Sequence, residues 1–231
     1  MADKNFRDLE KIIGVTFTDK SLLKQAMVHR SYLNENPSFE LDHNERLEFL
    51  GDAVLELVVT EHLYKNYDNP EGEMTNWRAS LVNSKMLGAV ASDLDFDQFL
   101  YLSRGEAKDG GGKARQYILA NSVESVIGAI YLDKDYNTIK EFIEKNILAR
   151  LPDILKEKSY IDPKTQFQEA AQEQVGITPS YKVLDEQGPD HSKQFRVGIY
   201  LEEECVAEGE GTSKQEAQVA AAENALTEKG W

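Results

Sequence analysis

Cysteine is all but missing from this chain: Cys205 stands alone in 231 residues. That excludes an intramolecular disulfide and a cysteine-built zinc site, and it suits a reducing, cytoplasmic setting. Cys205 itself reads as a small apolar strand residue rather than a reactive thiol. No apolar run approaches the roughly 20 residues that a membrane helix needs, so no membrane association is expected. Met1 to Lys11 is charged and holds no apolar segment of signal-peptide type, which predicts an untargeted soluble protein. Basic residues are short too, with 26 Lys and Arg against 41 Asp and Glu, a net charge of -15 and a pI near 4.7. A strongly basic protein that coats nucleic acid is excluded; local basic patches are not. The sequence has no internal repeat and no low-complexity tract. Two catalytic frameworks are missing as well. Gly110 to Gly112 before Lys113 invites a phosphate-loop reading, but no glycine stands five residues before Gly112 and Ala114 replaces the required Ser or Thr, so no nucleotide cofactor is expected. Ser31 lacks the His and Asp partners of a serine hydrolase.

What the chain does have is acid in an unexpected place. At about 100° per residue, Glu45, Glu48, Asp52 and Glu56 fall on one edge of a helix, while Leu47, Leu50, Val54, Leu57 and Val58 lie opposite. Phe49, Ala53 and Leu55 fill much of the flanks, which leaves almost no solvated face. Like charges three and four residues apart repel, and burying carboxylates costs desolvation. A solvated helix face is therefore a poorer account than a divalent metal held by oxygen ligands.

The length allows one large or two small domains. Helical spacing marks Phe6 to Ile13, a helix capped by Thr18 or Asp19 that carries Leu22 to Met27 and ends in His29 to Tyr32, and, after a polar loop from Asn34 to His43, the acidic helix. Asn66 to Glu73 reads as a turn, followed by a helix through Trp77, Leu81 and Met86. Ser103 to Arg115 reads as a Gly-rich charged loop. A second apolar helix runs from about Tyr117 to Leu132 with Asn121 and Glu124 one turn apart, and a last one, Tyr136 to Leu151, ends or kinks at Pro152. The polar stretch after it is taken as a linker, giving domains at 1–156 and 163–231 joined by 157–162. Past it the pattern changes: a helix from Lys164 to Gln174, a short extended Tyr181 to Leu184, a turn at Gln187 to Asp190, and alternation through Phe195, Val197, Ile199 and Leu201. Cys205 and Ala207 suggest a third strand that Gly209 and Gly211 break. Ser213 and Glu216 then open a helix lined by Ala217, Ala220, Ala221 and Ala225. The expected fold is an all-α domain followed by a small α-β-β-β-α domain.

Asn44 to Leu55 resembles the signature of the ribonuclease III family nearly throughout. His29 to Tyr32, Glu71 to Met74, and Ile118 to Ala120 followed by Glu124 and Ile127 to Ala129 resemble further blocks of that family, in its order and spacing. The C-terminal part resembles a double-stranded RNA-binding domain in Lys164, Thr165, Gln168 and Glu169, in Gly188 to His191, and in Gly211 to Ala225. The resemblance implies an Mg²⁺-dependent endonuclease, with Mn²⁺ as substitute, that cuts both strands of duplex RNA as a homodimer and processes structured precursors such as ribosomal RNA. It implies a metal cluster of Glu48, Asp52, Asn121 and Glu124, with Asp52 and Glu124 the least replaceable. Glu45 and Glu71 would sit beside it, towards RNA positioning and the dimer valley. Hydrolysis of a phosphodiester fits such a cluster, because it needs an activated water and stabilised charge on the oxygens.

One residue departs from the family pattern. Asn121 occupies a position most often held by Asp, and three readings stand: a natural active variant, a weakened site, or a substitution made to trap substrate. The first is favoured, and a neutral amide oxygen in place of a carboxylate predicts looser metal binding. The RNA-binding part departs as well. Lys214 is present, but Gln215 and Gln218 stand where further bases are expected, and Asp162 to Trp231 holds 6 basic and 14 acidic residues. Minor-groove contacts from Gln168, Glu169 and His191, with Lys214 on phosphate, then carry binding that is weak for the domain alone. His29 reads as structural, and Lys113 and Arg115 as either RNA contacts or a solvated loop. The alternative function is a duplex-RNA-binding protein that keeps the fold and is catalytically weak or inactive.

Overall fold

The computed structural model describes residues 4–108, 112–158, 160–189 and 193–231. It divides into two compact units, one running to Tyr160 and the other from Ile161 to Trp231.

The first unit is helical: α1 (Phe6–Ile13), α2 (Lys20–Ala26), α3 (Arg30–Glu35), α4 (Glu45–Asn66), α5 (Glu71–Val82), α6 (Ser84–Asp93), α7 (Arg104–Lys108), α8 (Lys113–Asp133), α9 (Tyr136–Asn146) and α10 (Leu151–Glu157). Its core is built on α4 and α8, whose Leu47, Leu55, Val58, Val123, Val126, Ile127 and Ile130 are buried together. The entry to α4 is tied down by backbone: Asn44 N–H donates to the Val28 carbonyl at 2.9 Å, and Tyr101 N–H to the Met27 carbonyl at 2.8 Å. Asn44 is buried and turns its amide to the Ala26 carbonyl at 3.3 Å. The first acidic residue of α4 is thereby held in place.

Several expected boundaries move. α2 stops at Ala26, and His29 begins the next helix rather than ending this one: its Nδ1 accepts the Ser31 N–H at 3.3 Å and meets the Ser31 hydroxyl at 2.7 Å. Ser31 thus has a histidine partner after all, as a helix cap, and its hydroxyl also accepts the Ser103 N–H at 3.1 Å. Burial pulls the His29 pKa down, consistent with a nitrogen that must stay unprotonated to accept. Part of the expected loop from Ser103 to Arg115 is α7 and the first turn of α8; Gly110 and Gly111 lie outside the described residues. Pro152 starts α10 instead of ending α9, because the first turn of a helix has no use for the N–H that proline lacks.

α4 differs in a way that matters for function. It does have a solvated face, and that face is apolar: Phe49, Leu57 and Tyr64 are 82%, 57% and 79% exposed. Their spacing, with Ala53 between them, sets them along one side of the helix.

The second unit packs α11 (Pro163–Val175) and α12 (Lys214–Lys229) on an antiparallel sheet of β1 (Ser180–Gln187), β2 (Gln194–Leu201) and β3 (Glu204–Gly211), in the order β1-β2-β3. β1 runs on through Gln187, into the expected turn. Ile199 and Leu201 pack with Phe167, Ala171, Ala221, Ala222 and Ala225, and Val197 is buried as well. Gly209 and Gly211 do not break β3; they lie inside it, because α12 presses on them. A Cβ at Gly209 would stand 2.1 Å from the Ala221 nitrogen, and one at Gly211 2.6 Å from the Ala217 nitrogen. The alanines and glycines together bring helix and sheet backbones close. Cys205 lies in β3 as expected but is exposed.

Candidate active site

The acidic residues of α4 and the polar pair of α8 meet because two glycines let the helices touch. A Cβ at Gly51 would lie 1.7 Å from the Glu124 carbonyl oxygen, and one at Gly128 2.2 Å from the Leu47 carbonyl oxygen. No side chain separates α4 from α8 at this crossing. Ser125 adds a pin, its hydroxyl bonding the Asn44 carbonyl at 3.4 Å and the Asn121 carbonyl at 2.7 Å. Glu48 and Asp52 on one helix therefore face Asn121 and Glu124 on the other.

The electrostatics follow. The Asn121 side chain beside Glu48 favours its charged form, yet burial, reinforced by the charges of Glu45 and Asp52, still raises the Glu48 pKa. Glu124 is pushed up to about 8, first by burial and then by the charges of Asp52 and Glu48. Each of these carboxyls thus responds to the charge of its neighbours. Among the described residues no three Asp, Glu, His or Cys side chains already form a group that could hold an ion. The donor set nevertheless fits a hard divalent cation: three carboxylates and an amide oxygen, with no sulfur or imidazole.

The seam is divided by its partners. Glu45 has Arg30, Nη1 to Oε1 at 3.5 Å, and its backbone N–H reaches His43 Nδ1 at 3.4 Å. Glu56 has Arg78, Nε to Oε2 at 3.1 Å, and the same guanidinium donates to Thr60 at 3.0 Å. The outer two acids are matched to arginines. Among the described residues the inner two, Glu48 and Asp52, pair with no cation, and neither does Glu124. The arginines could not be assigned from spacing, since each sits on another helix or at its start. The two glycines were visible as letters but not as contacts.

Glu71 stands elsewhere, in the first turn of α5, where its carboxylate accepts the Thr75 hydroxyl at 3.0 Å. It lines a cavity of about 290 Å³ with Thr60, Leu63, Tyr64, Met74 and Arg78. Thr60 is about 12 Å along α4 from Asp52 at the helical rise per residue.

In the second unit Gln168 and Glu169 lie exposed on α11 beside Gln172 and Glu173. Lys214 opens α12, its ammonium 5.7 Å over the Phe195 ring. His191 falls outside the described residues. Gln218, read only as a missing base, accepts a hydrogen bond from Lys164 Nζ at 2.7 Å.

Similarities to known proteins run the length of the chain. Residues 19–151 match the ribonuclease-III-like family, and 163–229 match the double-stranded RNA binding motif. Ribonuclease 3 of Oceanobacillus iheyensis is 41% identical over 223 residues, covering 96% of this chain and 97% of that protein. Ribonuclease 3 of a Nitratiruptor species is 42% identical over 224 residues, 96% of each. The nuclease domain of ribonuclease III from Campylobacter jejuni, described for structural flexibility in a region involved in dimer formation, superposes with a TM-score of 0.54 at 38% identity, covering 62% of this chain and 98% of that one. With a helix crossing that sets Glu48 and Asp52 against Asn121 and Glu124, an α-β-β-β-α unit following in the sequence, and both family models matched, the chain belongs to the ribonuclease III family, the double-strand-specific endoribonucleases.

Proposed function

We propose that the chain hydrolyses duplex RNA with Mg²⁺, Mn²⁺ serving as substitute, held by Glu48, Asp52, Asn121 and Glu124. The observation that carries this is the division of the acidic seam: the outer carboxylates have arginines, while Glu48, Asp52 and Glu124 have no cation among the described residues, and burial with neighbouring negative charge raises the carboxyls of Glu48 and Glu124. When bound, such an ion supplies an activated water and stabilises charge on the leaving oxygen. The chain's own part is preorganisation. Asn121 beside Glu48 favours the charged form of that carboxyl, and its neutral amide spares the site a fourth inner carboxylate, at the cost of weaker attraction for the ion. Arg30 offsets the Glu45 charge that presses on Glu48. Asp52, the exposed member of the set, faces the side from which RNA arrives. Glu45 and Glu71 serve RNA positioning, and Gln168, Glu169 and Lys214 bind the duplex, reading minor-groove hydroxyls and phosphate. Processing of structured precursors such as ribosomal RNA, in the cytoplasm, is the setting that this activity suits.

The deciding experiment incubates the full chain with a long RNA duplex, first with Mg²⁺ and then with EDTA. Scission with the ion and none without it is expected. Duplex binding without scission in Mg²⁺ would favour the inactive-binder alternative.

We also propose that the chain works as a homodimer through the apolar face of α4. Phe49, Leu57 and Tyr64 form a large exposed apolar face, and Tyr64 continues it into the cavity it lines with Leu63 and Met74. The charge of Phe49→Asp on that face should convert the dimer to monomer in sedimentation experiments, with the helical circular-dichroism signal retained. A Phe49→Asp chain that stays dimeric would place the interface elsewhere.

A further inference from the structure

The second unit has few positive charges to offer phosphate, and most are spoken for. Lys193 pairs with Glu186 at 2.7 Å, Arg196 with Glu208 at 3.3 Å and Lys229 with Glu204 at 3.2 Å. Lys182 lies over the Tyr200 ring at 4.5 Å, on the strands. Lys164 and Lys214 remain. Among the described residues neither has a carboxylate partner, and the acid nearest Lys164 in sequence is committed elsewhere: Asp162 Oδ1 caps α11 by accepting the N–H groups of Lys164 and Thr165 at 3.0 and 3.3 Å.

These two lysines come from different helices but converge on one. Gln218 stands one turn beyond Lys214 on the same face of α12. Its Oε1 takes the Lys164 ammonium at 2.7 Å, while the Tyr181 ring backs that ammonium at 5.1 Å. Lys164 is thus drawn from the start of α11 onto the opening turns of α12, which carry the positive end of the helix dipole. On α11 the next turn after Lys164 presents Gln168, so the lysine lies between the groove-reading face and the phosphate-facing helix.

We infer that the phosphates of duplex RNA are gripped by a lysine pair built from two helices, Lys214 of α12 and Lys164 of α11, with Gln218 as the residue that positions the second. The glutamine that looked like a lost base then has a use: it recruits a base from elsewhere. A lysine at 218 would repel Lys164 from that place. The inference rests on the reading that this unit binds duplex RNA.

The test measures binding of the full chain to an RNA duplex of about 20 base pairs, with EDTA throughout so that no cleavage occurs, over a series of salt concentrations. One phosphate contact contributes about 0.9 to the slope of log affinity on log salt and nothing near 1 M, so its removal costs about 15-fold at 50 mM and about 5-fold at 150 mM. Lys164→Gln should show both the loss and a slope shallower by about one for each chain engaged on the duplex, while Lys164→Arg keeps slope and affinity. Gln218→Glu leaves Lys164 and its ring contact intact but sets a carboxylate against the ammonium, and it should lower the slope by a similar amount at an unchanged melting temperature. That variant decides the matter if Lys164→Gln melts early. An unaltered slope in Gln218→Glu, or in a folded Lys164→Gln, overturns the inference while the unsubstituted chain still binds. Failure of the unsubstituted chain to bind at 50 mM salt overturns the RNA-binding reading itself.

Discussion

Gly51→Ala should abolish cleavage and lower the melting temperature, although alanine is the better helix former and the residue takes no part in chemistry. The added Cβ would stand 1.7 Å from the Glu124 carbonyl oxygen, 2.6 Å from its carbon and 2.9 Å from the Gly128 nitrogen. All three are backbone, so no rotamer change relieves the clash, and α4 must move off α8. Overpacking of this kind costs about 1–3 kcal/mol or more. For a unit of this size that is a fall of roughly 3–10 °C. The loss of activity should be larger than stability explains. The same movement separates Glu48 and Asp52 from Asn121 and Glu124, and a displacement of about 1 Å between reacting groups can cost around 10²-fold. Gly72→Ala is the control: nothing lies within 4 Å of its added Cβ, and α5 should keep its stability. Equal melting behaviour in Gly51→Ala and Gly72→Ala would contradict the close crossing; an intact melt with full cleavage would sink the argument altogether.

This crossing also marks how far the sequence alone reaches. The periodicity of Leu47, Leu50, Val54 and Val58 identifies α4, and the step from Asn121 to Glu124 puts both on one face of α8. What periodicity cannot supply is which turn of one helix meets which turn of the other. That depends on Gly51 and Gly128, whose role is to lack a side chain. The same blindness explains Gly209 and Gly211, read as strand breakers when they are where alanines of α12 approach. It explains Pro152 too, since a proline signals only that a helix does not continue through it, and a helix starting there satisfies that as well. The exposed face of α4 was misjudged for a different reason. Phe49, Leu57 and Tyr64 are the residue types that normally fill a core, and periodicity alone does not tell a face that packs inside the chain from one that the fold leaves exposed. At the site, the seam itself was legible because four carboxylates on one edge of an apolar helix demand an explanation. Their division was not, since Arg30 and Arg78 approach through the fold. The bond from Lys164 to Gln218 was not legible, because the two are 54 residues apart and Gln218 is neutral.

Glu124→Gln tests the chemistry with the least disturbance of shape. The amide keeps the volume and one oxygen but gives up the charge, and on the proposed metal reading the loss of one inner negative charge should cost several kcal/mol of charge stabilisation. Cleavage in Mg²⁺ should fall by at least about 10³-fold, since each factor of ten is about 1.4 kcal/mol. Duplex binding in EDTA should stay within about twofold, because phosphate contacts from the second unit carry it; a variant that loses binding as well would move Glu124 from chemistry to affinity. The metal-free protein gives a second, independent reading. Burial and the charges of Asp52 and Glu48 hold the Glu124 carboxyl at about 8, above its ordinary 4.5. Between those values the unfolded chain has released the proton and the folded chain retains it, so the folded state binds more protons and stability falls as pH rises from about 4.5 to about 8. Below that window both states are protonated and the term vanishes; above it the full cost of the buried charge is present. Glu124→Gln has no proton to lose. Melting curves in EDTA should therefore decline across the window for the unsubstituted chain and decline less for the variant, with the variant the more stable of the two at pH 8. Parallel curves would mean that Glu124 titrates normally and that its neighbours do not press upon it, which would remove the electrostatic reason for placing a cation among them.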